Sequence, residues 1–268
     1  MNSFILLIFE GEKAEKMIYE NIKNSFFKNN TILFATYKAE IFQLWNLIEK
    51  KYNGDDDIDI IEVLKERGND DLTNVSREQV TEIHLFFDHD AHSHLSTMEI
   101  DKYNNIIENM LNYFSNEYNQ GKLWISYPML EAVKHCKKDP GICFENCIVD
   151  INNNHVYKEM VGKLSDYQDI RKFSISEWHY FTAIAVQKTN RLLFNTCIIP
   201  PYQKIRDLEQ TIIHKKQVDL YISPKLKVAV LSCIPFFLLY YFGESLYNDM
   251  QRLKIQKNCQ FRCLCSSL

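Results

Sequence analysis

The stretch F-I-L-L-I-F-E-G-E at residues 4–12 decides the fold, together with I-H-L-F-F-D-H-D at residues 83–90. Each begins as an apolar run of strand length and ends on an acid. Phe4–Phe9 is apolar at every position rather than every second one, which belongs to a strand covered on both faces, as in a parallel sheet flanked by helices. Between them the spacing changes. Met17, Ile18, Ile22 and Phe26 recur at helical intervals, Thr31 to Ala35 reads as a second strand, and Glu40 to Tyr52 as a second helix. Ile58 to Leu64 (IDIIEVL) is expected to be a third strand, with residues 65–78 a polar loop leading to a short helix. Beyond the strand at Ile83 to Phe87, a helix is expected over about Ile100 to Phe114 and a fifth strand over Lys122 to Tyr127. Pro128 to Lys137 then reads as a helix with proline in its first turn. Strands alternating with helices predict an α/β domain with a mostly parallel sheet.

After about residue 140 the texture becomes helical, at Ile175 to Thr189, Tyr202 to Lys215 and Leu226 to Leu253. The expected organisation is therefore an α/β domain over 1–140, an appended mostly helical domain over 141–258, and a cysteine-containing tail over 259–268. Val228 to Phe242 is strongly apolar but only 15 residues long. A bilayer needs roughly 20, so a buried helix bent or broken at Pro235 is expected rather than a membrane span.

The 268 residues are 46% hydrophobic and 25% charged, the balance of a folded globular chain. Only 7 Gly and 6 Pro argue against a turn-rich all-β fold. A net charge of −4 neither supports nor excludes nucleic-acid binding. The 8 cysteines are scattered, and Phe4–Phe9 lacks the basic flank and cleavage site of a leader, so reduced thiols and a cytoplasmic location are expected.

Two acidic signatures fall where strands end: Glu10-Gly11-Glu12, and Asp88-His89-Asp90. In an open parallel sheet, ligands bind outside the carboxyl ends of the strands, where the strand order reverses. Acids some eighty residues apart can meet there. Asp88 and Asp90, two apart in extended chain, point the same way. A magnesium-like cation wants such oxygens, with water and phosphate completing its shell. Glu10 is placed to share the metal or to handle a proton in phosphodiester cleavage. Gly11 allows a tight turn and lets a phosphate approach the following helix.

The segments F-E-G-E-K-A-E at 9–15 and L-F-F-D-H-D at 85–90 resemble the Toprim domain of topoisomerases, primases and Toprim nucleases. The run N-E-Y-N-Q-G-K-L-W-I-S-Y-P-M-L-E-A at 116–132 is similar to one in overcoming-lysogenization-defect-type nucleases and in small Toprim effectors of bacterial phage defence. The resemblance spans roughly residues 4–137. It implies a Toprim-like, Rossmann-like fold and a Mg²⁺- or Mn²⁺-dependent endonuclease acting on RNA or DNA. By the same resemblance Glu10, Asp88 and Asp90 are metal and catalytic residues, with Glu15 and Glu131 as accessories. It also implies a toxic effector held in check, with a partner ATPase as one candidate regulator. Gly11, Lys13, His92 and Lys134 are candidate contacts to the substrate.

Blander readings stand beside these. Acids after strands serve as turn and cap residues, and Glu15, Lys13 and Lys134 are the kind of charges that solvate a helix face. His89, His92 and His94 offer a rival histidine metal site, and Cys259, Cys263 and Cys265 match no metal-binding pattern. The rival function is a Toprim-like module without catalysis that assembles with a partner ATPase.

Overall fold

A computed structural model describes residues 3–27, 31–52, 58–89, 98–138 and 147–253. Asp90, His92, His94 and the cysteine tail lie outside the described residues. Chain contacts divide the molecule into two units, and the division does not fall at one point of the chain. The first comprises Met1–Asp88, Asn109–Trp124 and Ile170–Lys172; the second comprises His89–Glu108, Ile125–Asp169 and Phe173–Leu268.

The first unit is built on a mostly parallel sheet flanked by helices. Its strands are β1 (Phe4–Phe9), β2 (Ile32–Thr36), β3 (Val80–Asp88), β4 (Ser115–Asn116) and β5 (Gly121–Ser126), in the order β2-β1-β3-β5-β4. Both neighbours of β1 run parallel to it, with Phe9 level with Thr36 on one side and with Phe86 on the other. The apolar run of β1 is explained by this interior place between two strands: Leu6, Leu7 and Ile8 have no exposed surface. The helices of this part are α1 (Ala14–Phe26), α2 (Ile41–Tyr52) and α3 (Ile60–Glu66), and α4 (Ile100–Tyr113) leads from β3 towards β4.

The strand expected at Ile58 to Leu64 is in fact α3. Asp59 caps it, its side chain accepting from the Ile61 N–H at 2.9 Å. Ile60, Ile61, Val63 and Leu64 are buried while Glu62 is exposed. That spacing suits one face of a helix and would split the apolar set across two faces of a strand.

The second unit contains α5 (Asn154–Leu164), α6 (Ile175–Phe194), α7 (Tyr202–Ile205), α8 (Gln210–Gln217), α9 (Ser223–Lys225) and α10 (Ile234–Arg252). It also holds an antiparallel strand pair, β6 (Ile148–Asp150) with β7 (Lys227–Ala229). Three expectations are corrected here. Pro128 follows a cis peptide bond, and only a short 3₁₀ turn over Leu130–Lys134 forms where a helix was expected. The expected helix over Tyr202 to Lys215 is two, α7 and α8, separated by an exposed stretch containing the Arg206–Asp207 ion pair. Leu226 to Leu253 starts with β7, and Pro235 stands in the first turn of α10 rather than bending it. Proline suits that place, because its missing N–H has no helical partner there. The break in α10 comes at Gly243, with φ 58° and ψ −135°. No helix among the described residues is long and apolar enough to cross a membrane.

Candidate functional site

The order β2-β1-β3 makes the space beyond the carboxyl ends of β1 and β3 a reversal point. The chain leaves β1 to one side for β2 and returns to the other side for β3. Glu10 follows β1 directly, and its backbone is held from both neighbours. Its N–H donates to Phe86 O at 3.2 Å, and its own carbonyl accepts from Lys38 N–H at 3.1 Å. The Glu10 carboxylate crosses to β3, where Oε2 accepts from Asp88 N–H at 3.1 Å. A charge-assisted bond of this kind fixes the carboxylate beside the last residue of the neighbouring strand. Both acids are half-buried, so they meet solvent on one side and protein on the other.

Gly11 is needed for what lies over it. A Cβ at this position would come within 2.6 Å of Glu15 Oε1. Glu15, in the first turn of α1 where the helix dipole favours an acid, therefore folds its carboxylate back onto the loop that carries Glu10. Lys13 is exposed at the N-cap of α1 and makes no cap with its side chain. Thus Glu10, Gly11, Glu15 and Asp88 come together, with Lys13 at the rim of the same loop.

Glu131 and Lys134 belong to the second unit. Glu131 lies in the 3₁₀ turn after β5, is nearly buried, and pairs with Lys158 at 3.0 Å. Lys134 offers its backbone carbonyl to Ser165 Oγ at 2.6 Å.

His89 turns into the protein interior, in keeping with strand alternation beside Asp88. Its ring packs against Tyr103 at 5.2 Å, Tyr127 at 5.0 Å and His214 at 6.2 Å between centroids. Burial, reinforced by His214, holds it well below the usual histidine range and so uncharged. Neither ring nitrogen has a hydrogen-bond partner among the described residues. His214 Nε2 faces the Asn104 carbonyl at 3.3 Å, so it carries the proton, and Nδ1 accepts from Tyr127 O–H at 3.1 Å.

Lys38 is the residue that sequence reasoning missed. It takes a left-handed backbone, φ 58°, unusual for a side chain of its size. Its ammonium pairs with Glu12 at 3.0 Å. The signal was present: A-T-Y-K at 35–38 is also a strand end, and the rule that selected Glu10 and Asp88 selects Lys38 once β2 is known to lie beside β1.

The donor set fits a hard divalent cation. The Glu10 carboxylate, which accepts from the Asp88 N–H, and the Asp88 side chain are the oxygen-bearing kind that would hold such an ion, which often takes only one or two protein carboxylates. Among the described residues no group of three acids, histidines or cysteines stands ready for a metal; the expected third ligand, Asp90, lies outside them. A larger open hollow of about 740 Å³, lined by Asp59, Arg77 and Asn116 among others, lies where β3 and β5 begin. That is the wrong end of the sheet for a ligand site, and the Arg77 guanidinium is already spent on the Val80, Tyr118 and Asn119 carbonyls. Comparison with family models, with curated proteins and with solved structures gives no match.

Proposed function

We propose that this chain is a Toprim-like, Mg²⁺- or Mn²⁺-dependent endonuclease acting on nucleic acid. The observation that carries the reading is the Glu10–Asp88 pair at the reversal point, joined by the 3.1 Å bond from Asp88 N–H to Glu10 Oε2. Glu10 and Asp88, with Asp90, are the residues that would hold the ion. The ion, once bound, would polarise a phosphoryl oxygen and lower the pKa of an attacking water. Glu10 is fixed at its backbone by Phe86 and Lys38, and the Asp88 N–H holds its carboxylate without help from substrate. Glu15, folded over Gly11, adds a proton acceptor to the same loop. The wider role, a toxic effector in phage defence restrained by a partner such as an ATPase, rests on the sequence resemblance.

The same Glu10–Asp88 bond also suits a module without catalysis, because it ties together the loops that follow β1 and β3. One experiment separates the two. Transfer RNA, single-stranded RNA and plasmid are incubated with Mg²⁺ or Mn²⁺, using wild type, Glu10→Ala and Asp88→Ala. The nuclease reading expects metal-dependent cleavage that falls more than about 100-fold in each variant. Cleavage that survives both substitutions places the chemistry elsewhere.

A further inference from the structure

Next to the Glu10 loop, the carboxyl end of β2 opens on a hollow of about 380 Å³ lined by Glu12, Lys16, Thr36, Lys38, Asn69 and Asp70, among others. One wall is rigid. Thr36 N–H donates to Asn69 Oδ1 at 3.0 Å, and Asn69 Nδ2 donates to Leu64 O at 2.9 Å. The turn at Gly68, with φ 77°, brings Asn69 and Asp70 up to it.

The mouth is set by Lys38. A left-handed backbone at a non-glycine costs of order 1–3 kcal/mol and persists only where its surroundings hold it. Here Tyr37 N–H donates to Phe9 O at 2.8 Å and Lys38 N–H to Glu10 O at 3.1 Å. The two bonds keep the Lys38 side chain at the hollow. Its partner Glu12 and Lys38 itself are 59% and 47% exposed. An ion pair that open contributes about 0–1 kcal/mol, so an incoming anion displaces it at small cost. Lys16, one helical turn beyond Glu12, is exposed and has no ion pair among the described residues. Two lysines, Lys16 and Lys38, thus line a hollow that also carries the Glu12 and Asp70 carboxylates. Such a mixed lining is not a general basic patch. It suits a ligand that is anionic at one end and a hydrogen-bond donor at the other, as a sugar-phosphate unit is. The volume falls at the lower end of the ligand-pocket range, roughly 300–1,000 Å³.

We propose that this hollow is a strand-binding subsite, seating the sugar-phosphate unit next to the phosphodiester at Glu10 and Asp88, with Lys16 and Lys38 on its phosphate. The proposal rests on the nuclease reading for its ligand, yet its test does not need cleavage. A short fluorescein-labelled single-stranded oligonucleotide, as RNA and as DNA, is titrated with the full chain in EDTA while anisotropy is followed at several salt concentrations. The variants are Lys16→Gln, Lys38→Asn and the two together; asparagine tolerates the left-handed backbone. Lys163→Gln, which removes an exposed lysine paired with Glu159, controls for net charge.

Each subsite variant is expected to weaken binding roughly tenfold and to flatten the salt dependence by about 0.7 in log–log slope. The control is expected to match wild type. A double variant with wild-type affinity and slope, or a wild type that does not bind the strand, overturns the subsite. The two failures stay distinct. Lysine-dependent binding without cleavage in Mg²⁺ or Mn²⁺ sinks the nuclease reading alone, and cleavage with lysine-independent binding sinks the subsite alone.

Discussion

At the scale of the residue, Gly11 separates a structural from a functional role for Glu15. The atom that a Cβ at position 11 would meet is the far end of a flexible side chain, Glu15 Oε1 at 2.6 Å. Gly11→Ala is therefore expected to leave stability within about 0.5 kcal/mol of wild type, since Glu15 swings away to solvent. Cleavage is expected to fall roughly tenfold, the scale of one lost proton-handling or orienting contact. A urea melt paired with a cleavage assay reads both quantities, and unchanged cleavage would return Glu15 to the solvated face of α1. Gly121 presents the opposite case. Its φ is 112°, and a Cβ there would lie 2.5 Å from Leu85 Cδ1 and 3.0 Å from Ile83 Cγ2, inside a packed sheet. Gly121→Ala combines backbone strain with overpacking and is expected to cost about 2–4 kcal/mol, read as a lower urea midpoint.

At the scale of the element, what could be read in advance depended on whether one stretch of chain holds the whole signal. F-I-L-L-I-F at 4–9 could be read, because a run with no polar face has few places to go other than the middle of a sheet. I-D-I-I-E-V-L at 58–64 was harder, because a strand buried on both faces accepts the same residues even though their spacing better suits one face of a helix. What decided it was Asp59 accepting from Ile61 N–H, a cap visible only once the chain turns. The break between α7 and α8 and the start of α10 at Ile234, with Pro235 in its first turn, likewise depend on more than the local run of residues. The site divides in the same way. Glu10 and Asp88 were marked by their strand ends, whereas Lys38 depends on β2 lying beside β1, and that adjacency is not written in residues 31–38.

At the scale of the molecule, buried histidines make stability depend on pH. Burial pushes His214 down from 6.5 to about 4 against a raising hydrogen bond to the Asn104 carbonyl. His135 is held well below 6.5, by burial first and by Lys188 second. The unfolded chain takes up these protons near pH 6.5, while the folded chain takes up that of His214 only near pH 4. Between those values the unfolded state binds more protons, so stability is full above about pH 6.5 and drains away as pH falls towards 4. Urea midpoints measured at pH 7.5, 6 and 5 are expected to fall in that order, and a flat series would contradict the neutral, buried imidazoles. The place of β1 between β2 and β3 carries a consequence for biosynthesis. Among the described strands β1 comes first, and its second neighbour is late: β2 ends at Thr36 and β3 begins at Val80, 44 residues on (80 − 36). At about 5–20 residues per second, a ribosome leaves one edge of F-I-L-L-I-F unpaired for about 2–9 s. During that interval the nascent chain displays an uncharged, β-prone hexapeptide of the kind that pairs with other chains, a hazard that ends only when β3 covers that edge.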